Sequence, residues 1–464
     1  MKRIAIMTTG GDTPALNATV HGAVSRANAM DIEVLGLLQG YDSIFDPQLP
    51  HVKLNPLFTS IPELDPTKGG TILGASRAYV DHNDTKEIKA AVRRMQHLGV
   101  EGLVVVGGDG SLNGMQPISE YLPAVLAPKT IDNDLGLNYF SEVDEWKRVP
   151  DECPAGYRYE RAYSTQEFDL EQMVNYVTAG YATAVFVSSW GVQRIRTTAE
   201  SHQRIAIIEV MGRQSGYIAL GASYGQPDII LIPEHPLDFD LLVERVKELY
   251  DRQRNVVIVC GEGIVDQEGR ELGAGDDFDP AGNVKLVGAA YNLRHLLAKR
   301  LGDSFFTKRG IKQTAESAIF VRRVGHTQRG GRPIRFDRFL GSEVGGKAVE
   351  MLVEGQSNTV ATIQWNRTDG FYLDSIYANQ IRDRWGLIHP RTMHPCFYDG
   401  HGMKASRVAI DYLLNVFANA IGHDDVEHIR QTLFNSGNLF RSYHSINADI
   451  AKRTRHVEMP EGEE

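Results

Sequence analysis

The chain has 464 residues, 42% of them hydrophobic, and 49 Lys and Arg against 59 Asp and Glu give a formal net charge of −10. That length predicts two domains or one large body with additions, with a sizeable core, and the acidic balance argues against nonspecific nucleic-acid binding as the main task. Cys153, Cys260 and Cys396 lack CxxC spacing, so neither a disulfide framework nor a zinc motif follows and a reducing cytoplasm fits; no apolar run approaches the ~20 residues of a membrane span.

Taken in chain order, the apolar run RIAIMTT ends on Gly10 and Gly11 and predicts a strand. NATVHGAVSRAN follows with helical character, and IEVLGLL is the next strand. Residues 85–98 predict a helix: Thr85 can cap it, Ile88, Ala91, Val92 and Met95 recur at helical spacing, and Gly99 can close it. GLVVV (102–106) and AVLAPKT (124–130) read as buried parallel strands. A second run of the same kind starts at RIAIIEV (204–210) and continues through DIILIPE, a helix near 238–252, NVVIVCGEG and a helix near 284–301. The expected fold class is therefore α/β, with two doubly wound lobes facing a cleft. Residues 135–168 are polar and aromatic without periodicity and read as an inserted segment. Beyond about 355 come many aromatics, histidines and arginines, two helical patches (405–419 and 425–434) and a solvated acidic tail. The expected division is 1–134, 135–168, 169–354, and a segment 355–464 that returns to the lobes and extends beyond them.

Three signals fall at strand ends, where an α/β sheet binds its ligands: TTGGDTPALN (8–17), VVVGGDGS (104–111) and APKTIDND (127–134). Glycines let backbone N–H groups approach phosphate oxygens, and a following helix N-terminus adds favourable partial charge. An aspartate beside phosphates is repulsive unless a cation lies between them, and Mg²⁺ is the usual one. Asp109 thus reads as a metal carboxylate next to a phosphate chain. A strand followed by two glycines is also what an ordinary βα turn looks like, but three such loops together favour a shared site. In TIDND, Asp132 and Asp134 lie two apart. In an extended segment they point the same way, so that one accepts a proton from an attacking hydroxyl while the other helps to hold the metal; an Asx turn is the alternative.

A phosphorylated acceptor needs cations, and the arginine fork matches phosphate oxygens. Arg77, Arg204, Arg213 and Arg329 lie beside glycines or at strand ends. His326 is either a hydrogen-bond partner for sugar or phosphate or a packed core histidine. Glu234 either accepts from sugar hydroxyls or caps a helix.

In order, TTGGDTPALNA, GGTILGASR, VVVGGDGS, PKTIDND, SHQRIAIIEVMGR, the PE at 233–234 and GHTQRGG make the chain similar to the 6-phosphofructokinases, over most of residues 1–350 apart from the insertion. The resemblance implies Mg²⁺-dependent phosphoryl transfer from ATP or pyrophosphate to the 1-hydroxyl of fructose 6-phosphate. It implies Asp132 as the base with Thr130 beside it, Asp109 and Asp134 for Mg²⁺, and Arg77 and Arg213 aiding catalysis. Gly11, Arg77, Ala78, Gly108, Asp109, Gly110, Ser111 and Lys129 would line the donor. Thr130, Ile131, Asp132, Met211, Gly212, Arg213, Glu234, His326 and Arg329 would bind the acceptor, with Arg204 supplied by a neighbouring subunit, so a homo-oligomer is implied. Nothing in the resemblance involves nucleic acid or membrane. Residues 1–134 become the donor-binding part and 169–354 the sugar-phosphate-binding lobe.

Three departures matter. Gly110 is the ATP-type residue, while Lys129 is typical of pyrophosphate enzymes; Gly110 decides for ATP because a missing side chain permits the α-phosphate. The cross-subunit arginine expected six residues before His326 is Phe320; Arg322, on the same strand face, is the expected substitute, with Arg323 second. His21 and Ser25 stand where bacterial enzymes keep allosteric arginines, so no ADP-relieved switch is expected there. NAD and lipid kinases share GGDG but lack the later motifs. A non-catalytic phosphosugar-binding protein is the alternative of another class.

Overall fold

The computed structural model describes all residues except 79, 152–155, 163–167, 279–283, 287, 429–430, 433–434 and 459–464. Cys153, Tyr163, part of the second C-terminal helical patch and the end of the acidic tail therefore lie outside the described residues.

The first strands are β1 (Arg3–Thr8), β2 (Glu33–Leu37), β3 (His51–Lys53), β4 (Leu103–Gly107), β5 (Ala124–Thr130) and the short β6 (Ala179–Gly180). They are followed by β7 (Ile205–Val210), β8 (Ile229–Leu231), β9 (Val256–Gly261), β10 (Ile319–Arg323), β11 (Thr359–Asn366) and β12 (Gly370–Tyr377). One sheet runs β12–β11–β5–β4–β1–β2–β3, with β6 beside β5; the other runs β8–β9–β7–β10. The second sheet is wholly parallel. In the first, only the edge strands β3 and β12 are antiparallel. Val104, Val105 and Val106 have no exposed surface, as a strand covered on both faces requires.

The connecting helices include α1 (Leu16–Ala29), α2 (Thr85–His97), α3 (Asp109–Ser119), α4 (Tyr181–His202), α5 (Phe239–Gln253), α6 (Ala289–Thr307), α7 (Arg335–Val353) and α8 (Arg407–Phe417). Helices α1 and α7 pack backbone to backbone. A Cβ on Gly22 would lie 1.9 Å from the Ser342 carbonyl oxygen and one on Gly345 2.0 Å from that of Thr19. Buried Asp337 of α7 accepts from the backbone N–H groups of Gly180 and Thr183 at 2.9 and 2.6 Å, fixing the N-terminus of α4.

The structure corrects several expectations. Helix α2 is capped by Asp84, whose carboxylate accepts from the Glu87 amide at 2.9 Å, not by Thr85, which lies inside the first turn. The helix expected from 284 begins at Ala289, because Val284–Leu286 is a strand and Gly288 intervenes at φ 137°. Residues 359–377 form the β11–β12 hairpin that enlarges the first sheet. Within the inserted segment, Trp146–Pro150 and Tyr157–Arg161 pair as an antiparallel hairpin. No helix among the described residues is long and apolar enough to cross a membrane.

Candidate active site

Strands β1, β4 and β5 are parallel neighbours, so the loops leaving their carboxyl ends converge. They enclose a cavity of about 500 Å³ lined by Gly11, Arg77, Ala78, Gly108, Asp109, Gly110, Ser111, Lys129, Thr130, Asp132, Asp134 and Arg329. Asp109 opens α3, placing its carboxylate and the helix's free N–H groups at one rim. A Cβ on Gly110 would meet no atom within 4 Å, so the cavity is open at that position. Lys129 is 3% exposed and donates to the Gly11 carbonyl. Burial pushes its amine down to about 8, helped by Arg329 and Arg77 and opposed by Asp12 and Asp109.

The two carboxylates of TIDND reach the cavity by a turn, not along an extended strand. Asn133 sits between them at φ 57°. Thr130 Oγ1 accepts from the Asp132 amide at 3.1 Å and donates to Asp134 Oδ1 at 2.8 Å. Burial pushes both carboxyls above the ordinary range; Glu262 and Asp109 add to this for Asp132, and Asp132 and Asp109 for Asp134. Asp132 Oδ1 is buried without a hydrogen-bond partner, which is costly unless a ligand satisfies it.

That donor set fits a divalent cation. Asp109, Asp132 and Asp134 line one cavity, yet among the described residues no three His, Cys, Asp or Glu side chains form a ready cage. Mg²⁺ is commonly held by one or two carboxylates, with water and substrate phosphates supplying the rest.

The Asp132–Asp134 turn is held by residues that sequence reasoning missed. Arg391, 1% exposed, donates to the Asn133 carbonyl from Nε at 3.1 Å and Nη2 at 2.7 Å, and from Nη1 to Val174 at 3.2 Å and Asn175 at 2.7 Å. Its own amide donates to the Asp134 carbonyl at 2.6 Å. Asn133 Nδ2 donates to Tyr412 Oη at 2.8 Å, and Tyr412 belongs to α8. Tyr41, His82 and Asn113 also line the cavity.

A second cavity of about 450 Å³ contains Arg213 and Glu234 with Glu271, Trp146, Tyr159, His389 and Thr392. Glu234 Oε1 accepts from the amides of Gly216 and Met393, both at 2.9 Å, and burial pushes its carboxyl up to about 7. Gly212 turns at φ 116°, where a Cβ would lie 2.4 Å from the Ser215 carbonyl oxygen. Ser215 Oγ donates to the Asp132 carbonyl at 3.0 Å, linking the loop after Gly212 to the Asp132–Asp134 turn. The Met211 amide donates to Gln328 Oε1 at 3.0 Å, while Ile131 is wholly buried in the core.

The remaining candidates are dispersed. Arg329 lines the first cavity and not the one with Arg213 and Glu234, its Nη1 donating to the Asp12 carbonyl at 3.3 Å. His326 is exposed in the turn Gly325–Gln328, which excludes the packed-core alternative. Arg204 precedes β7, at the opposite end of that strand from Met211 and Arg213. Arg322 borders a separate cavity with Trp190 and Arg194, and Arg323 pairs with Glu209 at 2.6 Å. The chain does not itself bring Arg204 or Arg322 to either site cavity.

Comparison with known proteins now bears on this arrangement. A sequence model described as phosphofructokinase matches residues 3–141 and 169–352. The chain is 30% identical over 379 residues to an ATP-dependent 6-phosphofructokinase of Oceanobacillus iheyensis, covering 81% of this chain and 94% of the relative. It is 33% identical over 369 residues to ATP-dependent 6-phosphofructokinase 2 of Streptomyces coelicolor, covering 78% and 91%. It is 30% identical over 367 residues to the pyrophosphate–fructose 6-phosphate 1-phosphotransferase of Amycolatopsis methanolica, covering 78% and 90%. A crystal structure of a pyrophosphate-dependent phosphofructokinase from Marinobacter aquaeolei superposes with a TM-score of 0.64 at 18% identity, covering 91% of this chain and 92% of that one, a likeness of fold. With 323 residues inside the matched stretches and their seven motifs converging on two cavities, the chain belongs to the phosphofructokinase family.

Proposed function

We propose that this phosphotransferase moves the γ-phosphoryl group of ATP to the 1-hydroxyl of fructose 6-phosphate, with Mg²⁺, giving fructose 1,6-bisphosphate. The observation that carries the reading is that Asp109 and Asp132 line one cavity while the carbonyl of Asp132 is bonded to the loop beside Arg213 and Glu234. One carboxylate thereby faces the donor phosphates as the turn bearing the other meets the acceptor pocket. Asp132 takes the proton of the 1-hydroxyl as its oxygen attacks the γ-phosphorus and ADP leaves. Lys129, Arg77 and Arg329 neutralise charge on the transferring group, and the backbone of Gly108, Gly110 and Ser111 supports the phosphate chain. Mg²⁺, held by Asp109 with Asp134 assisting, screens the phosphates. Glu234 and Arg213 position the sugar phosphate. Arg204 and Arg322, remote from their own chain's cavities, are available to a neighbouring subunit's acceptor site, which makes the active form a homo-oligomer.

Pyrophosphate is the second reading, favoured by buried Lys129 reaching the first glycine loop. The purified protein, given fructose 6-phosphate and Mg²⁺ with either ATP or pyrophosphate, separates them. Turnover with ATP is expected. Turnover with pyrophosphate alone would replace the donor, and binding without turnover would make the protein a phosphosugar binder.

A further inference from the structure

We propose that the inserted hairpin and the stretch 383–392 form the outer wall of the acceptor pocket, and that Trp146 and His389 determine which phosphosugar fits it. The inference rests on the reading of the Arg213–Glu234 cavity as the acceptor site. That cavity is lined by Arg213, Glu234 and Glu271 from the family-matched stretches and by Trp146, Tyr159 and His389 from outside them. Neither Trp146 nor His389 falls within the family-matched stretches 3–141 and 169–352.

The wall is built, not merely adjacent. The Trp146 and His389 rings stack at 3.7 Å with 12° between their planes, and Tyr159 meets His389 edge-on at 5.3 Å. Arg148 donates to Tyr159 Oη at 3.0 and 2.8 Å and lies 4.7 Å from the Trp385 ring. The base of the hairpin is locked by Arg161, which pairs with Glu142 at 2.7 Å and Glu145 at 2.9 Å with only 4% of its side chain exposed.

The chemistry of the wall suits a sugar. His389 Nε2 lies 2.8 Å from Asp383 Oδ2, and Asp383 also accepts from the amides of Trp385 and Leu387 at 2.8 and 2.9 Å. A carboxylate on Nε2 orients the ring and holds a proton on that nitrogen, leaving Nδ1 as the ring's other polar atom for a hydroxyl. Indole and phenol rings supply rigid apolar surface with a polar edge. On this assignment the Trp146–His389 stack limits how long an acceptor can be while its phosphate reaches Arg213, favouring a six-carbon over a seven-carbon ketose phosphate. The wall thus sets acceptor length, and the donor cavity is untouched by it.

The test compares Trp146→Ala and His389→Gln with the wild type in steady-state kinetics and in direct calorimetric binding of fructose 6-phosphate. Both variants are expected to raise KM and Kd for fructose 6-phosphate about tenfold, the net worth of one lost hydrogen bond or ring contact, with the donor KM unchanged. Trp146→Ala is further expected to improve kcat/KM for a seven-carbon ketose phosphate relative to fructose 6-phosphate. His389→Gln preserves volume and polarity, so it reports even if loss of the indole unfolds the hairpin. Unchanged acceptor constants in a wild-type background that binds and turns over fructose 6-phosphate, or parallel loss for donor and acceptor, would overturn the inference alone. A wild type that neither binds nor phosphorylates fructose 6-phosphate would remove the acceptor reading and this inference with it.

Discussion

Arg391 offers the sharpest test of how the Asp132 and Asp134 carboxylates are held. It is wholly buried, forms no ion pair among the described residues, and spends its guanidinium on backbone carbonyls at Asn133, Val174 and Asn175. Replacing it with methionine keeps much of the length and removes every donor. The Val174 carbonyl retains the Leu137 amide at 3.0 Å, so two carbonyls, those of Asn133 and Asn175, lose their side-chain donors. At about 1–3 kcal/mol for each orphaned buried group, the loss is about 2–6 kcal/mol against a net stability of about 5–15 kcal/mol. Arg391→Lys retains the charge but replaces the planar fork with one ammonium group, which cannot span three carbonyls in this geometry. The Asn133 turn then relaxes, and a shift of about 1 Å at a reacting group costs on the order of 100-fold in rate. Because Arg391 lines neither cavity, Arg391→Lys is expected to lower kcat by about 10- to 100-fold while both KM values stay within about twofold. Urea denaturation measures the first quantity and steady-state kinetics the second. Wild-type stability in Arg391→Met together with wild-type kcat in Arg391→Lys would refute the reasoning.

Three further outcomes follow from the site. Gly110→Asp fits sterically, because a Cβ there meets no atom within 4 Å, so thermal stability holds. Its carboxylate opposes a donor phosphate by up to about 4 kcal/mol at about 4 Å and an effective dielectric of about 20, so kcat/KM for ATP should fall by up to about 1000-fold; unchanged ATP turnover would contradict ATP as donor at this loop. Lys129, pushed down to about 8, loses its proton in the free enzyme as pH rises through that value. Donor KM should therefore climb above pH 8 in the wild type and stay flat in Lys129→Met, and equal profiles would remove the lysine from donor binding. Asp132 is pushed up by burial, so the folded chain binds its proton more tightly than the unfolded chain and its ionisation costs stability as pH rises above the ordinary carboxylate value. Asp132→Asn should lower kcat by about 100- to 10,000-fold yet be more stable than the wild type at pH 8 and equal to it near pH 3, which thermal melts at the two pH values check.

The donor loops were legible because their signal is local. A run such as Val104–Val106 ends at Gly107 and Gly108, and parallel strands send such ends to the same edge of the sheet. Gly11, Asp109, Lys129 and Asp132 could therefore be grouped before any coordinates, even though the extended geometry assumed for TIDND was replaced by a left-handed turn at Asn133. Glu234 and Arg213 were legible through motif order. Arg391, Tyr412, Trp146 and His389 were not. Arg391 is 258 positions from Asn133 and sits in the unpatterned run HPRTMHP, where an arginine reads as solvated surface. Its burial follows from the left-handed turn that aims the Asn133 carbonyl inward, a tertiary consequence with no sequence period. The β11–β12 hairpin was missed because β11 alternates only partly, its first five residues being buried in succession.

The division between legible and hidden residues has a physical cause. Groups that meet phosphates must be glycines, carboxylates or cations on strand ends, so chemistry constrains their identity and topology their place. Groups that hold the turn need only donate or accept at one angle, and any segment that returns to the sheet can supply them. Here β11, beside β5, brings the chain back to the first sheet, and Arg391, further along the chain, reaches the carbonyls of Asn133 and Asp134. The Arg391 guanidinium forms no ion pair among the described residues and is held by carbonyls, so its position is stable only while those carbonyls point at it. The turn and Arg391 therefore fix one another. The turn that carries Asp132 and Asp134 is held in place because a segment outside the family-matched stretches closes that mutual constraint.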